Sequence, residues 1–351
     1  MKPKSHILAT IILTQFACTS TWFAGNAIME SLIKTIDVPV GTMGWVLSSV
    51  QLGFIVGTLT FGLLMIADRY APAKVFMICA LLAAASNFVL ALPNLNAFTL
   101  LMSRFATGFF LAGIYPVGMK IAADYYEKGL GKALGFLVGA LVLGTAFPYL
   151  VNGTDWGQQT ETVVQITSLI TILGGLLLYL CVPNGPYRVA SKKIRLEAGP
   201  QLFKNINFRK AAFGYVGHMW ELYAFWAFTP FAIAWYNLQW TSTISVPIWT
   251  GIIIALGGLS CALGGILSER IGSKTVASAS LILSGSCCLL SPLFFTLSVP
   301  LFLTGWCIWG IAVTADSPQL SKLIAGAVTP ELKGTALTFA TCIGFGITIV
   351  S

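Results

Sequence analysis

His218 and Glu221 stand three residues apart in GHMWELYAFW (217–226), inside an otherwise apolar run at 211–235. The chain has two histidines and twelve acidic residues in all, so placing one of each there calls for a reason. Residues i and i+3 share a helix face, and Gly214 and Gly217 leave space beside them. Asp316, in TADSPQLSK, is a third ionisable group within an apolar run. An ionised group at mid-membrane costs on the order of 2.5–3.5 kcal/mol on insertion scales, and hydrocarbon favours the neutral form of acids and bases alike. Groups held in that balance exchange protons near neutral pH. Glu221, Asp316 and His218 are therefore the proton-coupling candidates. The bland alternative is a neutral His–Glu hydrogen bond that ties one helix to a neighbour. The three are also transition-metal ligand types, though their spacing is a weak signal for a metal.

Arg104 is the one basic residue deep in a span and away from the lysine-rich ends. It either grips an anionic substrate bidentately, pairs with a mobile carboxylate, or sits in an ion pair that only fixes packing. Trp22, Asn26, Gln51, Tyr115, Trp220, Tyr223 and Trp226 are candidates to line a pocket by stacking and hydrogen bonding. Each alone reads equally as packing, but an amide in hydrocarbon needs a partner, which singles out Asn26 and Gln51. The inventory is acid-rich, so a cation, zwitterion or amphipathic molecule fits it at least as well as an anion. No nucleophile–base pair and no HExxH motif is present, which argues against an intramembrane hydrolase or any other enzyme.

These residues must be positioned by membrane helices. Of the 351 residues 56% are hydrophobic and only 9% charged, against about 25% charged in soluble domains. Eleven apolar runs are predicted to span the bilayer: 7–29, 43–66, 75–92, 98–122, 133–152, 162–182, 211–235, 246–267, 275–295, 300–323 and 335–351. The first lacks a cleavage site and is expected to stay in the mature protein. Six runs precede the one long polar segment and five follow it. The expected organisation is thus a bundle at 1–183, a basic linker at 184–210 and a second bundle at 211–351, cut short within its fifth helix. Placing the N-terminus in the cytoplasm puts eighteen Lys/Arg inside (among them Lys2, Lys4, Lys128, Lys192 and Lys193), with only Lys34 outside, beside Glu30, Asp37, Asp155 and Glu161. That asymmetry sets the topology and accounts for the net charge of +8 without a nucleic-acid partner. The eight cysteines lie in apolar runs and read as small apolar side chains.

The two halves repeat each other. Asp68-Arg69, in GLLMIADRYAPAKV, and Glu269-Arg270, in GGILSERIGSKTV, are 201 residues apart; YPVGMK (115–120) and SPQLSK (317–322) place a proline and a lysine at an offset of 202. Acid–arginine turns at helix mouths act as ion-pair latches between two states. The expected latch residues are Asp68, Arg69, Lys74, Asp124 (as partner of Arg69), Glu269, Arg270, Gly272 and Lys274. Pro116 and Pro318 permit kinks at equivalent places.

Gly265-x-x-x-Glu269-Arg270-x-Gly272-x-Lys274 resembles the best-known loop motif of the major facilitator superfamily. The earlier copy keeps Asp68, Arg69 and Lys74 but has Leu64 and Ala71 where that motif prefers glycine. Arg104-x-x-x-Gly108 is similar to the superfamily's second motif, and GFLVGALVLGTAFP (135–148) loosely echoes a glycine-rich stretch of its antiporters. WFAGNAI, GIYPVGMK, GHMWELYAFW and TADSPQLSK look most like a bacterial branch grouped with cyanate and nitrate/nitrite porters. The resemblance implies an all-α polytopic membrane protein of two six-helix bundles around a central cavity. It further implies a secondary transporter in the inner membrane, working by alternating access and driven by a proton gradient, with a small molecule or ion as substrate. Alternatives are an uncoupled facilitator and a proton antiporter of cationic or amphipathic compounds. No cofactor and no oligomer is expected.

Overall fold

The structure, a computed structural model, describes residues 5–36, 42–126, 130–188, 194–329 and 331–350. Lys2, Lys4, Asp37, Lys128, Lys192 and Lys193 of the charge argument lie outside these residues. Eleven helical spans follow one another, and no strand occurs among the described residues. We number them α1 (Ser5–Thr19, resuming as Ala24–Ala27 and Met29–Ile36), α2 (Thr42–Leu63), α3 (Pro72–Phe88), α4 (Ala97–Leu111 and Tyr115–Tyr125), α5 (Leu130–Asn152), α6 (Thr160–Cys181), α7 (Ile206–Trp240), α8 (Val246–Ile271), α9 (Ser273–Phe294), α10 (Val299–Ala315 and Ser317–Gly326) and α11 (Lys333–Ile347). Eight of them are long and apolar enough to cross a membrane. α1 is interrupted and α11 has 15 residues. α7 is diluted by His218, Glu221 and their aromatic neighbours.

α7 starts five residues before the expected 211 and ends five after 235, a run of 35 residues. The reason is local: the Asn205 side chain accepts from Asn207 N (2.9 Å) and Phe208 N (3.3 Å), capping the helix inside the polar segment. α4 and α10 each break one residue or a short turn before a proline. Pro116 and Pro318 both stand second in the resumed helix, where a missing N–H costs nothing. In α10 the whole break is Asp316, whose carbonyl accepts from Gln319 N and Leu320 N at 2.9 Å.

Small residues let the helices close on one another without a solvent-driven force. β-carbons at Gly53 and Gly108 would collide with the Phe105 and Val50 carbonyls, so α2 and α4 touch backbone to backbone. α5 crosses α8 in the same way: a β-carbon at Gly139 would lie 2.7 Å from the Gly258 oxygen, and one at Gly258 would lie 2.9 Å from the Gly139 oxygen. α1 and α6 are joined by Thr171 Oγ1 donating to the Ala17 carbonyl at 3.1 Å. Calling the end that carries 184–210 the linker side, α2 and α11 meet directly on the far side, where Ser48 Oγ donates to the Ile349 carbonyl at 3.2 Å.

Candidate functional site

His218 faces the break in α10. Its Nδ1 lies 2.9 Å from Asp316 Oδ1, and the two side chains are 1% and 2% exposed. The atoms are at ion-pair distance but out of hydrogen-bond alignment, and His218 Nε2 is buried with no hydrogen-bond partner among the described residues. The Tyr215 ring lies 6.1 Å from the imidazole, one turn nearer the linker. Asp316 owes its position to the break itself: as the single residue between two helical pieces it projects toward α7 rather than along a continuous helix surface. Both side chains are buried where α7 meets the break in α10.

Glu221 takes a different environment. Its Oε1 accepts from Trp309 Nε1 at 3.1 Å and from Ser284 Oγ, which ties it to α10 and α9. The three-ligand metal arrangement of His218, Glu221 and Asp316 does not form, and no three His, Cys, Asp or Glu groups converge on a metal position among the described residues. The physical reason is that Glu221, one turn further along, already has two donors in its own bundle.

Beyond His218, about 8–12 Å further along α7, a buried aromatic cluster joins the first six helices to the last five. Trp22 lies over Phe54 (4.7 Å between ring centres) and stacks on Phe345 (5.8 Å); Phe345 meets Phe54 (4.6 Å) and Tyr223 (5.6 Å); Phe23 meets Trp226 at 5.5 Å. Trp22, Tyr223 and Trp226 thus fall in one cluster, in which the rings pack closely against one another and against Phe23, Phe54 and Phe345. Tyr115, Tyr215 and Tyr223 stand within electrostatic range of each other across the same boundary. Trp220 does not join them: it is 44% exposed and points out of the bundle, because it sits two residues from His218 and so on a different face of α7.

Arg104 is fully buried, and no acidic side chain pairs with it among the described residues. Its Nη2 donates to the Trp22 carbonyl (2.7 Å) and Asn26 Oδ1 (2.9 Å), and Nη1 donates to the Thr21 carbonyl (3.3 Å). The interruption of α1 frees those carbonyls, and the guanidinium is the donor that satisfies them. Gly25 leaves the room, since a β-carbon there would lie 2.9 Å from Arg104 Nε. Asn26 is therefore accounted for by Arg104. Gln51 is buried with its Oε1 unpartnered among the described residues.

At the linker side Asp68 pairs with Lys120 Nζ at 2.8 Å, both largely buried. The expected Arg69–Asp124 pair is replaced: the cations acting on Asp124 are Lys120 and Arg188, while Arg69 and Lys74 are exposed. Arg69 falls at the end of the short helical turn Ile66–Arg69, which carries it outward while Asp68 turns in. In the second copy Glu269, Arg270 and Lys274 are all exposed. The two copies also turn differently. The first uses Met65 at φ 51°, whereas α8 runs on to Gly272 at φ 86°, a conformation that favours glycine.

Sequence reasoning missed Lys120 as the latch partner, although the repeated lysine of YPVGMK and SPQLSK was its signal. Ser284, Trp309 and Phe345 gave no signal. Gln15 was also missed: it is fully buried, both amide atoms lack partners among the described residues, and a β-carbon at Gly118 would strike its oxygen.

Residues 11–351 match the model of the Major Facilitator Superfamily, to which the chain belongs. No curated protein matches the sequence. Solved structures share the fold. A bacterial homolog of the human lysosomal transporter Spinster, in an inward-facing and occupied conformation, is 18% identical over 98% of this chain and 79% of its own, with a TM-score of 0.72. The nucleoside transporter NupG, solved as a point mutant, is 17% identical over 98% and 90%, TM-score 0.72. The human organic anion transporter MFSD10 is 17% identical over 99% and 92%, TM-score 0.70. The chain is thus an all-α, multi-pass membrane protein with the major facilitator fold.

Proposed function

We propose that this protein is a secondary active transporter that moves a small solute across the membrane by alternating access, coupled to proton movement through His218 and Asp316. The single observation that carries the reading is their 2.9 Å approach, fully buried, at the break in α10. In this reading 1–183 and 211–351 are two bundles joined by 184–210, with the linker side cytoplasmic in an inner membrane. The pair takes a proton from one face and releases it to the other as the bundles rock. Glu221, held by Ser284 and Trp309, is the second acid on that route. Burial of His218 and Asp316 together favours coupling over an uncoupled facilitator, because a facilitator needs no ionisable pair in hydrocarbon.

The solute is read as a cation, zwitterion or amphipathic molecule. Arg104, the one fully buried cation among the described residues, is already committed to α1, which speaks against the cyanate- and nitrate-like branch that the motifs suggest. The protein acts as a monomer without a cofactor and is not an enzyme. A thermal-shift screen against purified protein identifies the solute, since native-state binders raise the melting temperature. Flux of that solute into vesicles containing the protein tests the reading. A binder that stabilises the protein yet never crosses the vesicle membrane overturns it in favour of a receptor.

A further inference from the structure

Between Pro183 and Asn205 the chain passes from one bundle to the other, and several of its described residues make specific contacts on the way. Tyr187 N donates to the Asp124 carbonyl (3.0 Å), and Arg188 donates to the carbonyls of Asp68 (3.2 Å) and Tyr70 (2.9 Å), fastening the start of the linker to the first six helices. The stretch from Ile194 onward does something else. The Ile194 δ-methyl lies against Gly62 near the end of α2, 2.5 Å from where a β-carbon would be. On the very next residue, Arg195 N donates to Thr335 Oγ1 at the start of α11, at 3.1 Å. Four residues later Gly199 packs on the Phe339 ring, with 2.7 Å from its would-be β-carbon to Cζ. Ala198, Gly199 and Leu202 are buried, and Asn205 Nδ2 donates to the Ala327 carbonyl at 2.8 Å.

Consecutive residues therefore touch opposite bundles. On the linker side Ile194–Arg195 lies between Gly62 of α2 and Thr335 of α11, whereas on the far side Ser48 bonds directly to the Ile349 carbonyl. We propose that Ile194 is a positioning residue of the transport cycle: it props α2 and α11 apart on the linker side and so favours the state that is closed on the far side. The inference rests on the alternating-access reading. For the far side to open, the linker-side ends of α2 and α11 must approach, and Ile194 must leave Gly62. The side chain is partly buried, so its loss removes part of the stabilisation of one state and leaves the folded bundles intact.

The test uses the full chain with its eight cysteines replaced and Ser48→Cys introduced, purified in detergent. A maleimide reports how often the far-side contact opens. Ile194→Gly is expected to raise the labelling rate of the introduced thiol about fivefold, the shift that losing roughly half of a buried isoleucine's contribution gives. Ile194→Val is expected to restore most of the original rate. Thr335→Val, which removes the acceptor on the opposite face of the linker, is expected to act in the same direction. A purely structural role would lower the melting temperature without moving this rate. An unchanged rate with Ile194→Gly, in monodisperse protein, overturns the proposal whatever Thr335→Val does. If the introduced thiol responds but no solute is ever transported, the wedge stands and the transporter reading fails.

Discussion

Gly139→Ala should loosen the seam between α5 and α8, and the size of the effect follows from the geometry. The added β-carbon would lie 2.7 Å from the Gly258 carbonyl oxygen. That is about 0.6 Å inside the closest ordinary carbon–oxygen contact of about 3.3 Å. The obstructing carbonyl is backbone, so it cannot swing away and the helices must separate. Overpacking of this kind costs about 1–3 kcal/mol. Replacing a helical glycine by alanine returns about 0.5–1 kcal/mol of conformational entropy, which leaves a net loss of about 0.5–2 kcal/mol. Gly135 provides the opposite sign one turn away. Its β-carbon would lie 3.6 Å from the Cys261 oxygen and 3.7 Å from Gly265 Cα, ordinary contact that needs no movement. Thermal unfolding of the purified variants in detergent should show Gly139→Ala melting several degrees below wild type, with Gly135→Ala level with it or above. Equal shifts for both variants would refute the backbone approach of α5 to α8 and with it this packing of the two bundles.

Arg104→Met should cost about 1–3 kcal/mol, because the Thr21 and Trp22 carbonyls and Asn26 Oδ1 lose their donors inside the protein. Arg104→Lys should recover only part of the lost melting temperature, since an ammonium lacks the planar fork that reaches all three. Asp68→Asn and Lys120→Met should each shift the melting temperature by less in the other's background than alone, as expected for one 2.8 Å pair. Glu269→Gln, at an exposed position, should leave it unchanged; an equal loss there would show that the second latch is also engaged.

Much of this was legible in the sequence because the bilayer imposes a simple rule on span length. Nine of the eleven apolar runs fall within four residues of the helix boundaries; α1 runs on to Ile36, seven residues past its run, and α7 exceeds its run because Asn205 caps it. The meeting of His218 with Asp316 could be anticipated from depth alone, since α7 and α10 run in opposite directions and both residues fall in one band. Partners on other helices could not. Whether Glu221 turns to Asp316 or to Ser284 depends on helix rotation, and periodicity says little about that when every face is apolar. Arg104 shows the same limit from the other direction: its partners are backbone carbonyls released by a break at Ser20–Phe23, a sequence with no proline or glycine to announce it. Asp68 found Lys120 rather than Arg69 finding Asp124 because the turn at Met65 sets which of two adjacent side chains faces inward.

The central claim is that His218 and Asp316 carry the coupling proton, and one measurement addresses it directly. Vesicles containing the protein are given a pH difference of one unit, and the steady-state distribution of the transported solute is read for wild type, Asp316→Asn and Glu221→Gln. One proton per solute corresponds to about 1.4 kcal/mol per pH unit, so wild type should reach about a tenfold concentration ratio. Asp316→Asn should still equilibrate the solute but fall to a ratio near one. A tenfold ratio retained in Asp316→Asn would contradict the account, whatever Glu221→Gln does.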